Sequence, residues 1–407
     1  MRGLFAAALA LTSALAQTFS GRGFMESDST FYPQTAVNDS SHAVSEMHLR
    51  YEASWQPRSW IKLAGALDAR TDTHRQTERA WRMDFDDRSA LRPPLSARRF
   101  SLVLARGGLT LEAGRQFIRW GKTDILNPTD RFAPKDFVNV VSTDFLGVNA
   151  ARLTYERGGD TIDLVWQPWF TPSRTPLLNQ RWTAAPADAA AISIRDNGAR
   201  YPGRSQFGVR WNHIARGYEY SLCYFDGFNH LPLFAAERGQ PALTVAVQRY
   251  YPQLRLVGGD GAFPTRWVTI KGEAAYFATT RQQSDEYLLY VVQFERQQGE
   301  WSWVGGYAGE TITKAAGKPL QFSPEQGLAR AILGRASYRI GPSQDAAIEG
   351  AVRQNGDGLW LRFEFSQAWG RHWRATLQWV LIRGDASDFI GQYRRNSYAQ
   401  VRIRYSF

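Results

Sequence analysis

The sequence predicts an all-β protein: a transmembrane antiparallel up-and-down β-barrel of about 16 to 18 strands, with long extracellular loops and short periplasmic turns. Three observations support this fold class. Apolar and polar residues alternate in repeated segments of about 10 to 13 residues. The connections between these segments alternate between long and short. Aromatic residues make up 14% of the chain, with 15 Trp and 17 Tyr, which is typical of barrels with aromatic girdles at both membrane interfaces.

The C-terminal segment, residues 398–407, illustrates the alternation. Every second position is apolar or aromatic: Ala399, Val401, Ile403, Tyr405 and Phe407. The positions between them are polar: Gln400, Arg402, Arg404 and Ser406. Because side chains of a strand point alternately to its two sides, we expect the arginines to face a water-filled lumen and the apolar face to meet lipid. The same period of two recurs at residues 46–55, 161–167, 359–366 and 373–381.

The connections follow the order expected for an N-terminus in the periplasm. The long links span residues 31–41, 71–94, 121–146, 170–203, 229–241 and 313–324. The tight turns are rich in Gly, Pro and Asp, and they lie at residues 56–58, 106–108, 157–160, 215–217, 297–299, 341–342 and 370–371. Pro252 interrupts the alternation within residues 242–257, so we expect this stretch to be partly a loop helix followed by a short strand.

Residues 1–16 are predicted to be a cleaved signal peptide, and residues 17–407 the barrel. Arg2 provides the positive start, residues 4–11 are apolar, and Ala14 and Ala16 form a small-residue cleavage site. No other segment approaches the roughly 20 consecutive apolar residues of a spanning helix, which excludes a helical membrane protein. We therefore expect the protein in the bacterial outer membrane.

Composition and motifs argue against catalysis and cofactors. Cys223 is the one cysteine, so we expect neither an intramolecular disulfide nor a cysteine-based metal site. The six histidines lack the spacing of metal-ligand motifs, and the chain has no nucleophile-elbow or phosphate-loop motif. We expect no enzyme activity, no metal and no cofactor. The net charge of +11 does not indicate nucleic-acid binding, because export removes that partner.

Much of the positive charge is predicted to line the lumen. The inward positions of the alternating segments hold Arg50, Arg70, Arg99, Arg152, Arg210, Arg335, Arg339, Arg353, Arg362, Arg374, Arg402, Arg404, Lys62 and Lys271. Guanidinium groups stay charged and bind carboxylate or phosphate, so such a lumen attracts anions. The alternative for each arginine is a salt bridge that braces the wall, because acidic residues also face inward: Glu46, Glu52, Asp68, Glu112, Glu156, Glu219, Glu273, Glu295, Glu349 and Glu364.

The alternation stops after residue 114 and gives way to a loop rich in Pro and Asp. Residues 127–130 (Asn-Pro-Thr-Asp) are typical of a turn. The candidates for ion pairs in this loop are Asp130 and Asp136 with Arg119, Arg131 or Lys135. We interpret the loop, residues 121–146, as a constriction folded into the barrel, with residues 170–203 as a second candidate; an ordinary ordered surface loop is the alternative. The residues predicted to act there are Arg115, Arg119, Trp120, Lys122, Asp124, Asp130, Arg131 and Asp136.

Two blocks, residues 114–136 and 267–277, resemble outer-membrane porin-like barrels of proteobacteria, in the broad neighbourhood of alginate-export porins. The sequence likeness is confined to these blocks, and the rest of the chain shares only the architecture. The resemblance implies a passage lined by arginine and lysine for a polyuronate, in agreement with the inward arginines. It assigns no binding role to an individual residue of this chain.

These observations predict a channel for diffusion or export of small or polymeric anionic hydrophilic solutes. One alternative is a carrier of hydrophobic compounds or lipids. Another is a non-conducting barrel that acts as an adhesin, an enzyme or a partner of an export machine. The expected partners are outer-membrane lipid, the solute or polyuronate, and the barrel-assembly machinery through Phe407. The sequence leaves open the solute, the direction of transport and the oligomeric state.

Overall fold

The alternating segments form strands that pair with their neighbours in the sequence, and the last strand pairs with the first. This computed structural model describes residues 19–184, 193–238, 244–280, 283–317 and 320–407. The pairing closes an 18-stranded antiparallel barrel, and the two-residue strand Met83–Asp84 adds to its sheet in parallel. The predicted fold class is therefore confirmed, whereas the predicted signal peptide lies outside the described residues.

The barrel strands are numbered in chain order as β1 (Phe19–Phe31), β2 (Ala43–Arg58), β3 (Ile61–Asp72), β4 (Leu95–Arg106), β5 (Leu109–Gln116), β6 (Val148–Arg157), β7 (Asp160–Gln167), β8 (Gln206–Ala215), β9 (Tyr218–Phe228), β10 (Gln253–Pro264), β11 (Thr269–Ala278), β12 (Glu286–Gln298), β13 (Trp301–Lys314), β14 (Ala331–Gly341), β15 (Gln344–Arg353), β16 (Gly358–Trp369), β17 (Trp373–Gly384) and β18 (Tyr398–Ser406). Shorter elements outside this ladder are Met83–Asp84, Lys135–Asp136, Asp144–Phe145, Ser193–Arg200, Leu233–Arg238, Thr244–Tyr250, an α-helix at Pro324–Gly327 and a 3-10 helix at Gly391–Asn396.

The short turns lie at one rim of the barrel and the long loops at the other. Gly158 and Gly299 have φ angles of 61° and 58°, a left-handed conformation that glycine adopts without steric cost, so these turns can be tight. The first turn falls at Ser59 and Trp60, slightly later than predicted, because β2 continues to Arg58. Among the described residues, no helix is both long enough and apolar enough to cross a membrane.

The prediction of a loop helix within residues 242–257 is wrong. Thr244–Tyr250 is a strand in a separate three-stranded sheet, between Ser193–Arg200 and Leu233–Arg238. Its Thr and Val residues favour extended backbone, and the neighbouring strands supply its hydrogen bonds. Pro252, which has no N–H to donate, separates this strand from the start of β10.

The outer surface of the barrel is apolar. Leu377 and Trp379, near the middle of β17, are 53% and 58% exposed. Aromatic side chains gather near the rim of short turns, where the ring centroids of Trp301 and Tyr338 lie 4.7 Å apart and those of Trp373 and Tyr405 lie 5.0 Å apart. An apolar belt bordered by aromatic residues is the surface expected of a barrel in a lipid bilayer.

The inner surface is not polar throughout, which corrects the simple inside–outside pattern. Inward side chains of β9 to β12 are apolar and fully buried, among them Phe225, Leu256, Phe277 and Leu289. They belong to one apolar cluster with residues of the 117–147 segment. Because this segment covers that part of the wall, water does not reach these positions, and the core lies inside the barrel.

Replacing Leu377 by Arg places a charge in the hydrocarbon. We expect the free energy of unfolding to fall by about 2–4 kcal/mol, the cost of a charged side chain near the bilayer centre. Urea unfolding of the barrel in lipid vesicles measures this change. Leu377→Phe serves as the control for altered size and should have a much smaller effect. An L377R barrel as stable as the parent would contradict the lipid-facing position of this residue.

Candidate functional site

Residues 117–147, which connect β5 to β6, lie inside the barrel and are held to the wall by Glu273 of β11, a side chain that is 2% exposed. Its Oε2 accepts hydrogen bonds from the backbone N–H of Lys122 (3.0 Å) and from the N–H (3.2 Å) and hydroxyl (2.9 Å) of Thr123. Its Oε1 accepts from the N–H and hydroxyl of Thr129, both at 2.8 Å. Charge-assisted hydrogen bonds are about twice as strong as neutral ones, so this carboxylate fixes the loop at two points.

Further contacts hold the loop deep inside the barrel. Gln293 of β12 accepts a hydrogen bond from the backbone N–H of Asp124 at 2.8 Å and donates to the Asp124 carboxylate at 2.7 Å. Lys122 Nζ lies 3.0 Å from Glu219 Oε2. Because Glu219 is the second residue of β9, directly after a short turn, the loop reaches toward the periplasmic half of the barrel.

Aromatic packing holds the same loop against β8 and β9. Trp120 and Phe132 are 2% and 1% exposed, and their ring centroids lie 5.3 Å apart. Phe132 also meets Phe225 edge to face at 5.1 Å. Gly208 makes this approach possible, since a Cβ there would lie 2.6 Å from atoms of both loop rings.

A hydrogen-bonded turn within the loop involves Asp130. Its Oδ1 accepts from the backbone N–H of Trp120 (2.5 Å) and Gly121 (2.7 Å), and its Oδ2 lies 3.2 Å from Arg119 Nε. The ion pair between Asp130 and Arg119, one of those predicted, is therefore present. The guanidinium of Arg119 also stacks over the ring of Phe145, 4.3 Å from its centroid.

The pairing predicted for Asp136 is wrong. Asp136 pairs with Arg92 (2.9 Å) and Arg174 (3.2 Å), from two other long loops, rather than with its sequence neighbours. Burial alone would raise the pKa of Asp136, but these guanidinium groups hold it well below its ordinary value. Arg131 pairs with Glu325 at 2.8 Å. Arg115 joins the same buried ionic network through Asp87, and its other members are Arg50, Arg70, Arg98, Glu46, Asp68 and Asp144.

A cavity of about 540 Å³ remains between the loop and the wall formed by β13 to β17. Its apolar lining includes Val141, Leu328, Leu333, Trp360, Ile382 and Phe389. Its charged lining consists of Asp124, Lys135, Glu325, Arg335, Glu349 and Arg362. The short helix Pro324–Gly327 and the 3-10 helix Gly391–Asn396 contribute residues from the side of the long loops.

Lys135 is the least neutralised cation of this cavity. Its Nζ lies 5.1 Å from the ring centroid of Phe145, and in the described part of the chain no carboxylate oxygen lies within 4.0 Å of it. Burial lowers the pKa of Lys135 below the ordinary lysine value, although the charges of Glu325 and Asp130 oppose this shift. A half-buried ammonium group without an ion-pair partner is a site for an external anion.

The other cations of the cavity outnumber the carboxylates that are free to neutralise them. Arg335 and Arg362 share one partner, Glu349, at 3.1 Å from Arg335. Asp124 lies 3.2 Å from Lys271, which also pairs with Glu295, and Glu325 pairs with Arg131. Counted with these partners, the described residues of the cavity have five cations and four carboxylates, and the surplus positive charge lies near Lys135, Arg335 and Arg362.

Most of the predicted lumen cations take part in ion pairs along the wall. The pairs are Arg50 with Asp68, Arg70 with Glu46, Arg99 with Glu112, Arg152 with Asp163, Arg210 with Asp260, Arg335 and Arg362 with Glu349, Arg339 with Glu300, Arg353 with Asp388, Arg374 with Asp345, Arg402 with Asp28, Arg404 with Glu26, and Lys271 with Asp124. Lys62 is exposed and has no such partner among the described residues. Of these fourteen, Arg335 and Arg362 border the cavity, and the pore-lining role of all fourteen stays a prediction.

The cavity residues that the sequence did not identify as site residues include Lys135, named there only as an ion-pair candidate, and Trp360. Lys135 lies in a segment without periodicity, and the residues that surround it come from loops that are distant in sequence. Trp360 had a detectable signal, because it occupies an inward position between the outward Leu359 and Leu361. A large aromatic side chain on the polar face of a strand indicates a contact with a loop or a solute.

Replacing Glu273 by Gln tests the attachment of the loop. The amide cannot accept from all the donors that the carboxylate satisfies, so we expect backbone amides around Thr123 and Thr129 to exchange hydrogen at least about tenfold faster. Hydrogen–deuterium exchange of the folded barrel measures this. Glu112→Gln is the matched control, because Glu112 contacts Arg99 and Ser101 of β4. Equal protection in E273Q and the parent would contradict the anchoring role.

The comparisons with known proteins concern the fold. No family model matches the chain, and no curated protein matches its sequence. Its structure is similar to Acinetobacter baumannii OccAB3 (TM-score 0.58, 10% identity) and OccAB4 (TM-score 0.56, 8% identity), in each case over 96% of this chain and 99% of the other. A BenF-like porin from Pseudomonas fluorescens gives a TM-score of 0.54 at 9% identity, over 96% and 98%. The likeness to alginate-export porins remains a prediction. With its apolar outer surface and closed ladder, the chain has the fold of an outer-membrane porin of bacteria.

Proposed function

We propose that the protein is an outer-membrane channel that conducts small organic anions. The observation that carries this proposal is the cavity beside the inward loop, where Lys135 has no carboxylate partner among the residues that the structure describes and Arg335 and Arg362 share Glu349. Positive charge in a narrow, partly apolar passage raises the local concentration of anions and repels cations. The predicted anion preference then depends on a few residues of the cavity rather than on the whole wall.

The apolar lining of the cavity indicates the chemistry of the solute beyond its anionic group. Leu333, Trp360, Ile382 and Phe389 offer hydrocarbon and aromatic surface opposite the charged groups. A cavity of about 540 Å³ has the size of a small-molecule site, which favours small solutes over a polyuronate chain. Pseudomonas aeruginosa OpdK, whose structure was solved with vanillate, shares the fold at a TM-score of 0.51 and 8% identity over 95% of this chain and 98% of that one. We infer a solute with an anionic group and an apolar body.

The alternative function, a carrier of hydrophobic compounds, needs an exit from the lumen into the membrane. Antiparallel pairing continues around all eighteen strands, including the pairs β13–β14 and β14–β15 beside the cavity. A continuous ladder of hydrogen bonds leaves no lateral opening, which counts against this alternative.

Ion selectivity in planar bilayers tests the proposed channel. Under a salt gradient, the reversal potential of the parent should indicate a preference for anions. Lys135→Gln should reduce the anion-to-cation permeability ratio by roughly two- to fivefold, since a unit charge at 4 Å contributes about 1 kcal/mol in water. Arg266→Gln is the control, because Arg266 is exposed in the short turn between β10 and β11, away from the cavity. Cation preference in the parent, or no conductance, would overturn the proposal.

The lowered pKa of Lys135 predicts a dependence of selectivity on pH. The amine is cationic only below its pKa, and burial lowers that pKa, so the anion preference should decline with rising pH at a lower pH than that at which an ordinary lysine titrates. Lys135→Arg should retain the preference over the same range, because guanidinium stays charged. Reversal potentials recorded at several pH values compare the two proteins. An equal decline in K135R would assign the titration to another group.

A further inference from the structure

We propose that the outer wall carries a binding site for a phosphorylated lipid of the outer leaflet. The charged part of this site lies at the long-loop end of β8 to β10. Arg204, just before β8, and Arg255, near the start of β10, both pair with Asp226 near the end of β9. Arg255 Nε lies 3.5 Å from Asp226 Oδ2, and the two arginine side chains are 44% and 51% exposed.

Strand register places Asp226 and Arg255 on the outside of the barrel. Asp226 lies directly opposite Phe207 on one neighbouring strand and Arg255 on the other. Residues directly opposite each other share a face of the sheet, and Phe207 is 49% exposed on the lipid side. Val257, two residues after Arg255 and on the same face, is 62% exposed. The charged group therefore lies on the opposite side of the wall from the channel interior.

An apolar groove lies directly below these charges on the same outer wall. It has a volume of about 460 Å³, and its lining includes Leu153, Leu164, Trp166, Phe207, Val209 and Tyr224. Phe207 and Tyr224 connect the groove to the charged group. Phe207 lies directly opposite Asp226 on the neighbouring strand, and Tyr224 precedes Asp226 by two residues on the same strand. The groove has the surface chemistry required to accommodate an acyl chain.

The charge balance indicates an anionic head group. Two guanidinium groups share one carboxylate, which leaves one positive charge exposed at the interface. The planar fork of arginine donors matches the oxygens of a phosphate, and the ring of Phe228 stacks 5.4 Å from the Arg204 guanidinium carbon and restricts its position. A molecule with a phosphate at the two arginines and an acyl chain in the groove is a membrane lipid phosphorylated at its head group. This site is independent of the solute that the channel conducts.

Native mass spectrometry of the purified barrel, titrated with lipid A that carries its phosphates, tests the site. The double variant Arg204→Gln, Arg255→Gln should bind this lipid roughly tenfold more weakly, because each interfacial arginine contributes to phosphate attraction. Arg296→Gln, an exposed arginine at the short-turn end of β12, is the matched control and should bind like the parent. The parent should also prefer lipid A over its phosphate-free form by a similar factor.

Two results would overturn the proposal. One is equal affinity of the parent for the phosphorylated and the phosphate-free lipid, a comparison that needs no variant to fold. The other is a double variant that binds the lipid as the parent does but changes its oligomeric mass, which would assign this face to contact between protein copies.

Discussion

The structure depends on the carboxylate of Glu273 and the five hydrogen bonds that it accepts from the inward loop. An 18-stranded barrel has an interior much wider than its own side chains can fill, so something else must shape the passage. A loop crossing that space would leave buried backbone N–H groups without partners. The carboxylate of Glu273 accepts hydrogen bonds from the N–H groups of Lys122, Thr123 and Thr129, and it thereby fixes the loop to the wall.

Once the loop is attached, the barrel has two unequal halves. On the side of β9 to β12, aromatic and aliphatic residues of the loop meet inward apolar residues such as Phe225 and Leu256 and form a dry core. On the side of β13 to β17 the space stays open as the cavity. Gly208 belongs to this arrangement as much as the large residues do, because its missing side chain lets Trp120 and Phe132 reach the wall.

The electrostatics of the interior follow the same division. Most wall cations face a carboxylate on a neighbouring strand, so they brace the sheet and contribute little net field. Around the cavity the balance differs, because Lys135 has no ion-pair partner in the described part of the chain, and the carboxylates of Asp124 and Glu325 are paired with other cations. Selectivity in the proposed channel is thus a property of how the loops meet the wall. On the outside, at the lipid interface, Arg204 and Arg255 likewise share a single carboxylate, that of Asp226.

The sequence by itself predicted the barrel, the approximate strand number, the lipid-facing positions of the segments with clear alternation, and the loop that we interpret as a constriction. These features follow from local alternation and turn chemistry, as in residues 398–407. A shift of one residue in the register of such a strand would move all its inward charged side chains to the lipid side. Only the tertiary structure decided which arginines are paired, that Asp136 binds Arg92 and Arg174, and that Lys135 has no carboxylate within ion-pair distance among the described residues. Those contacts join residues far apart in the chain, and no local period encodes which distant loop will cover a given position.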